Sequence, residues 1–167
     1  MQSINDFDKD QFINFFGNIF ENSSWIAEYT FKKKPFIDFD DLINKMIDVF
    51  KFCKKEEQLN ILLNHPDLAD KVKISDLTKY SLEEQKNAGL NECTESEFKE
   101  FKYLNDIYKD KFGFPFILSV AGKNKYEILN NFKERIILKK DREFNEALQQ
   151  VIKIALFRLN SLRSKIS

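Results

Sequence analysis

The chain has 167 residues, 43% of them apolar, and it carries 27 Lys plus Arg against 27 Asp plus Glu. That length and apolar content suffice for a packed core without disulfide or metal staples, and they exclude wholesale disorder. A formal net charge of zero removes the global field that draws a protein to nucleic acid or to an anionic membrane, so neither partner is expected.

Only four Gly and three Pro are present, and the apolar spacing is helical nearly throughout. The expected fold is therefore all-α: one compact domain over residues 1–167 with about eight helices. In chain order, Phe12, Phe15, Phe16, Ile19 and Phe20 recur at three and four and make one helix face. Trp25, Ile26 and Tyr29 suggest a short second helix capped by Ser23 or Ser24. Lys32, Lys33 and Lys34, beside Pro35, read as a solvated turn. Phe39, Leu42, Ile43, Met46, Ile47 and Phe50 form a third helix, with Asp38, Asp40 and Asp41 as helix-start charges.

Leu59, Leu62 and Leu63 mark a fourth helix, which should stop at His65 because Pro66 disfavours helical backbone in its predecessor. A fifth helix should start at Ser81 and end near Gly89, a C-terminal glycine cap. Thr94 with Glu97 is a capping-box pattern opening a sixth, with Phe98, Phe101, Leu104 and Tyr108 inward. The run Phe112-Gly113-Phe114-Pro115-Phe116-Ile117 is too apolar for a surface loop and too broken for a helix. It reads as buried irregular backbone whose N–H and C=O groups need partners. Two further helices follow, about Tyr126 to Ile137 and Arg142 to Leu162. Phe144, Leu148, Val151, Ile152, Ala155 and Leu159 line one side of the last.

Cys53 and Cys93 stand in no metal or redox spacing, which fits a reducing compartment and gives no metal site. No 18-residue apolar run suggests a membrane helix. Met1 to Asp10 is polar and acidic, unlike a secretory signal. The ending Ser164-Lys165-Ile166-Ser167 does not match the peroxisomal Ser-Lys-Leu signal, so a cytoplasmic location is expected.

Four features could carry chemistry. His65 can exchange a proton near neutrality, and a following proline stiffens its turn. Taken alone, however, a histidine at a helix end is better explained by the helix dipole. Ser81, Glu84 and Gln85 fit a capping box, or a polar cluster facing a ligand. Arg158 lies in a stretch that is apolar nearly all round. It either snorkels to water or aims at a carboxylate. The Gly113–Leu118 segment is either a hydrophobic corner or a source of ligand-binding amides.

In order and approximate spacing, several strings together resemble one family. They are His65-Pro66-Asp67-Leu68-Ala69, Ser81-Leu82-Glu83-Glu84-Gln85, Ala88-Gly89-Leu90, Leu104-Asn105 with Tyr108, Phe112-Gly113-Phe114-Pro115-Phe116-Ile117, and Arg158-Leu159. The family is OHCU decarboxylase, the 2-oxo-4-hydroxy-4-carboxy-5-ureidoimidazoline decarboxylase of urate breakdown, and the likeness spans roughly residues 7 to 162. It implies an all-α, cofactor-free and usually dimeric enzyme that yields (S)-allantoin from a small-molecule substrate. By position it implies that His65 is catalytic and that Ser81, Glu84 and Gln85 form a polar substrate-binding cluster; on chemical grounds Glu84 is expected to orient His65. The likeness also implies that Pro66, Arg158 and the backbone of Phe116, Ile117 and Leu118 contact substrate. One departure is Asp70, where members often carry Gly. Two alternatives stay open: a non-catalytic helical interaction module, and a decarboxylase of a related ureido heterocycle.

Overall fold

A computed structural model describes residues 3–69 and 79–166 of the chain. Asp70, Met1 and Ser167, singled out above, lie outside the described residues. Eight α-helices and no strands are present among them. The helices are α1 (Lys9–Phe16), α2 (Trp25–Phe31), α3 (Phe39–Phe52), α4 (Lys55–Leu63), α5 (Lys79–Asn87), α6 (Glu95–Phe112), α7 (Lys125–Ile136) and α8 (Lys140–Leu162). The chain divides into two compact units, residues 1–64 with 152–167, and residues 65–151.

The first unit is built on phenylalanine. Phe12 and Phe16 are buried one turn apart on α1, and the Phe12 ring stacks on Phe36 at 5.8 Å. Phe20 packs against Phe50 of α3 at 5.3 Å. Each such buried ring contributes roughly 1.5–3 kcal/mol by leaving water. The expected first helix is shorter than its apolar pattern. It ends at Phe16 with Gly17 as its C-cap, and Ile19 and Phe20 are buried from the turn that follows. Ser24 occupies the N-cap position of α2 but makes no capping bond; the Ser23 hydroxyl instead donates to the Glu21 carbonyl at 2.9 Å. Asp38 does cap α3, accepting from the Asp41 N–H at 2.8 Å.

The lysine turn is only partly solvated. Lys34, ahead of a cis peptide bond to Pro35, donates to the Phe7 carbonyl at 2.7 Å. In α4 the buried pair is Ile61 and Leu62, while Leu59 and Leu63 are exposed. Nine residues give too weak an apolar stripe to choose the inward face, and packing chooses it instead.

The second unit is organised by α6. Its capping box forms as its sequence requires: Thr94 Oγ1 accepts from the Glu97 N–H at 3.2 Å, and Glu97 accepts from the Thr94 N–H at 3.0 Å. The helix runs for eighteen residues to Phe112 and is capped by Gly113, whose φ of 81° is the left-handed geometry that a Cβ would penalise. Gly89 has the same geometry after α5, as expected of a cap. Among the described residues no helix is long and apolar enough to cross a membrane.

Replacing Thr94 with alanine removes one half of the box and leaves the Glu97 N–H to water. Urea unfolding should register a loss of about 1 kcal/mol with an unchanged slope. An unchanged midpoint would mean that the cap contributes nothing to α6.

Candidate functional site

The turn after α4 is where His65 sits. The helix stops at Leu63, Asn64 forms its C-cap and His65 follows in a bend, as the proline at 66 dictates. His65 is buried, at 8% exposure, which is uncommon for a residue in a connecting loop.

The three residues after Pro66 are each gripped by a side chain from within the same unit. The Asp67 carboxylate pairs with Lys109 of α6 at 2.7 Å. The Leu68 carbonyl accepts from Asn105 Nδ2, one turn earlier on α6, at 3.1 Å. The Ala69 N–H donates to Gln85 Oε1 of α5 at 3.1 Å. Ala69 itself has a φ of 56°, a left-handed conformation unusual for a residue with a Cβ. The grip holds backbone that would otherwise relax.

Helix α5 is turned with its polar side inward. Helical spacing puts Ser81, Glu84, Gln85 and Ala88 on one face. Ser81 and Ala88 are buried, Glu84 and Gln85 are half-buried, and Leu82 is exposed. A helix that only had to stabilise a core would present its leucine and keep its glutamate in water. Here a hydroxyl, a carboxylate and a carboxamide face in, from a helix bonded through Gln85 to the histidine loop.

Lys79 and Tyr80 are already helical, so Ser81 lies within the helix and does not hold the expected N-cap position. The cap reading of Ser81 and Glu84 therefore gives way to a shared inward face. Among the described residues no group of three or more His, Cys, Asp or Glu side chains is gathered as a metal ion would need.

The Phe114–Leu118 segment is buried throughout and has no regular structure, as its composition predicts. Its backbone is satisfied by side chains. Arg135 Nη1 donates to the Ile117 carbonyl, and the Ser119 N–H donates to Gln150 Oε1 at 2.9 Å. The Arg135 guanidinium also lies over the Phe116 ring at 4.5 Å, and Phe116 stacks on Phe132 at 3.9 Å. Behind Arg135 stands the fully buried Glu143 carboxylate. Its Oε1 accepts from Arg135 Nε at 2.9 Å, from Arg135 Nη2, and from the Tyr108 hydroxyl at 2.5 Å. Burial first, then the hydrogen bond to Glu143, pushes the Tyr108 phenol far above its ordinary value, so it stays a donor.

Arg158 belongs to the other unit. It is 1% exposed and does not snorkel. Its Nη1 donates to the Ile19 carbonyl at 3.0 Å and its Nη2 pairs with Glu21 Oε1 at 3.2 Å. Of its two expected orientations, the one toward a carboxylate is adopted, and that carboxylate is the protein's own.

The structure thus joins the His65 loop to the Ser81–Gln85 face directly. It puts Phe116, Ile117 and Leu118 in the same unit on separate supports, and it anchors Arg158 in the first unit. Sequence reading missed Glu21, Lys109, Arg135 and Glu143, and it gave Asn105 no role. Arg135 and Glu143 lie at a helix end and a helix start, where they pass for ordinary dipole charges. Asn105 did leave a signal, a polar residue interrupting the apolar side of α6 between Leu104 and Tyr108.

Tyr108→Phe removes one of the bonds to a buried charge while keeping the ring contacts. Denaturant unfolding should show about 1–3 kcal/mol lost. A change within experimental error would show that the Arg135 bonds are enough to hold Glu143 Oε1.

The model of the OHCU decarboxylase family matches residues 5–160. The "Uric acid degradation bifunctional protein" of Bacillus sp. (strain TB-90) is 43% identical over 97% of this chain, which spans 32% of that protein's length. The chain also spans 32% of a second such bifunctional protein, PucL of Bacillus subtilis (strain 168), at 41% identity. The 2-oxo-4-hydroxy-4-carboxy-5-ureidoimidazoline decarboxylase of Halalkalicoccus jeotgali is 35% identical over 97% of this chain and 90% of its own. Among solved structures, that of (S)-allantoin synthase superposes with a TM-score of 0.75 at 30% identity, over 96% of this chain and 51% of that one. A structure of OHCU decarboxylase in the presence of (S)-allantoin shares the fold, with a TM-score of 0.70 at 24% identity over 86% and 93% of the two chains. The chain belongs to the OHCU decarboxylase family.

Proposed function

We propose that this chain decarboxylates 2-oxo-4-hydroxy-4-carboxy-5-ureidoimidazoline to (S)-allantoin in urate degradation, without a cofactor. The observation that carries the proposal is the inward polar face of α5, bonded through Gln85 to the buried His65 loop, in a chain of this family.

In the reaction the bond to the carboxylate carbon breaks and CO₂ leaves. The electron pair moves into the substrate's own carbonyl and imine-like groups, which is why no cofactor is needed. The pair then takes up one proton at the carbon that becomes stereogenic. His65 donates that proton to one face, with Glu84 orienting the imidazole. Ser81, Gln85, Pro66 and the backbone of Phe116, Ile117 and Leu118 hold the ring. Arg158 binds an anionic or ureido group through its planar donor fork. A loosely held substrate would be protonated from both sides, so rigidity of the His65 mount is part of the chemistry.

Residues 1–167 act as one functional domain, supported by a family match that runs through both units. A homodimer follows from the family resemblance alone. Two free thiols, Cys53 and Cys93, support a cytoplasmic setting. Neither nucleic acid nor membrane is a partner in this reading, in keeping with zero net charge.

Circular dichroism of allantoin formation, with substrate made in place from oxidised urate, tests the activity. The chain should accelerate formation of one enantiomer; no acceleration over the spontaneous reaction would end the proposal. Substituting His65→Ala should lower kcat by about 10²–10⁴-fold with unfolding little changed. Wild-type rate and handedness in that variant would remove His65 from the mechanism.

Arg158→Ala should raise KM, but it also strands the buried Glu21 carboxylate and should cost about 3–5 kcal/mol of stability. The double variant Arg158→Ala with Glu21→Gln removes that stranded charge. It should regain stability while KM stays high; a wild-type KM there would show that Arg158 is structural only.

A further inference from the structure

Asn105 is an odd residue for its place. It is 4% exposed and follows Leu104 on the side of α6 that also buries Phe101 and Tyr108. An apolar side chain there would add stability, whereas a carboxamide must be taken out of water. Its Nδ2 has a use, the 3.1 Å bond to the Leu68 carbonyl. Its Oδ1 is buried with no hydrogen-bond partner among the described residues, so the bond of Nδ2 is kept at a cost. One turn on, Lys109 reaches Asp67 at 2.7 Å. Positions 105 and 109 share one face of α6, so a single rigid helix grips two consecutive residues of the loop. Those residues lie two and three positions after His65, with only Pro66 between, and proline has a fixed φ. Few soft torsions separate the grip from the imidazole.

We infer that Asn105 and Lys109 are positioning residues that set the direction of His65, acting through the Asp67–Leu68 backbone without touching substrate. This rests on the role given to His65 above. The stereochemical step needs the proton on one face, and a displacement of about 1 Å at a reacting group can cost as much as 10²-fold in rate. The same two bonds would also serve to restrain a loop whose Ala69 is in the left-handed region.

The test uses two variants of the full chain. Asn105→Leu keeps the volume and removes the donor; Lys109→Met removes the cation from a partly exposed site. Both should lower kcat, about 10–100-fold for Asn105→Leu and several-fold for Lys109→Met, with KM nearly unchanged. Both should lower the optical purity of the allantoin, which a purely stabilising residue would not affect. Because the chain has one histidine, the His65 ring gives a single assignable set of imidazole NMR signals. These should shift or broaden in both variants while the rest of the spectrum stays native.

Wild-type kcat, optical purity and imidazole signals in both variants would overturn the inference. Should Asn105→Leu fail to fold, Lys109→Met decides by the same readouts. Should the wild-type chain not accelerate decarboxylation, the functional reading falls, and the imidazole signals alone then judge whether α6 positions His65.

Discussion

Backbone that leaves the helix inside a core must find hydrogen-bond partners among side chains, and that constraint explains most of the polar residues buried in residues 65–151. Two segments impose it. One is the loop from His65 to Ala69, the other the run from Phe114 to Leu118. A helix satisfies its own N–H and C=O groups, and these segments cannot. Asn105, Gln85, Arg135 and Gln150 supply the missing partners. Glu143 and Tyr108 then exist to hold Arg135. Leaving any of these backbone groups bare would cost about 1–3 kcal/mol. The polar interior is therefore a consequence of irregular backbone being placed inside the core.

The arrangement trades core stability for fixed geometry. Helix α5 turns Ser81, Glu84 and Gln85 inward and exposes Leu82, giving up apolar burial. Arg158 and Glu21 repeat the pattern in the other unit, where a fully buried ion pair replaces what could have been two apolar side chains. Such pairs are weak contributors to net stability but strict about direction. The phenylalanine-rich core offsets these losses: Phe12, Phe16, Phe50, Phe101, Phe116 and Phe132 are all fully buried.

Much of this was legible in the chain. The helical period, the Thr94–Glu97 box, Gly89 and Gly113 as helix ends, and Pro66 as a stop are local signals. Each survives because the physics behind it acts over only a few residues. The proposed site residues are picked out by their order along the chain, and not by any one of them: His65 alone is better explained by a helix dipole. What stayed hidden depends on tertiary packing. Nothing near Arg135 or Glu143 distinguishes a buried ion pair from two surface charges. The inward face of α4 went to Ile61 and Leu62 over Leu59 and Leu63, because a short helix leaves that choice to its neighbours. Ser81 read as a cap because its spacing to Glu84 suits a cap and a common face equally, and only the position of the helix start separates them.

Ala69 shows how such a design ages. An L-residue in the left-handed region carries roughly 1–2 kcal/mol of local strain, so the loop is held against its own preference. Selection for folding alone would favour glycine there, or release of the bonds around it. A chain that lost those bonds would thus be expected to relax the strained turn while keeping its hydrophobic core. Persistence of alanine at this position, with its neighbours still gripping it, would mark a loop whose geometry is still being held.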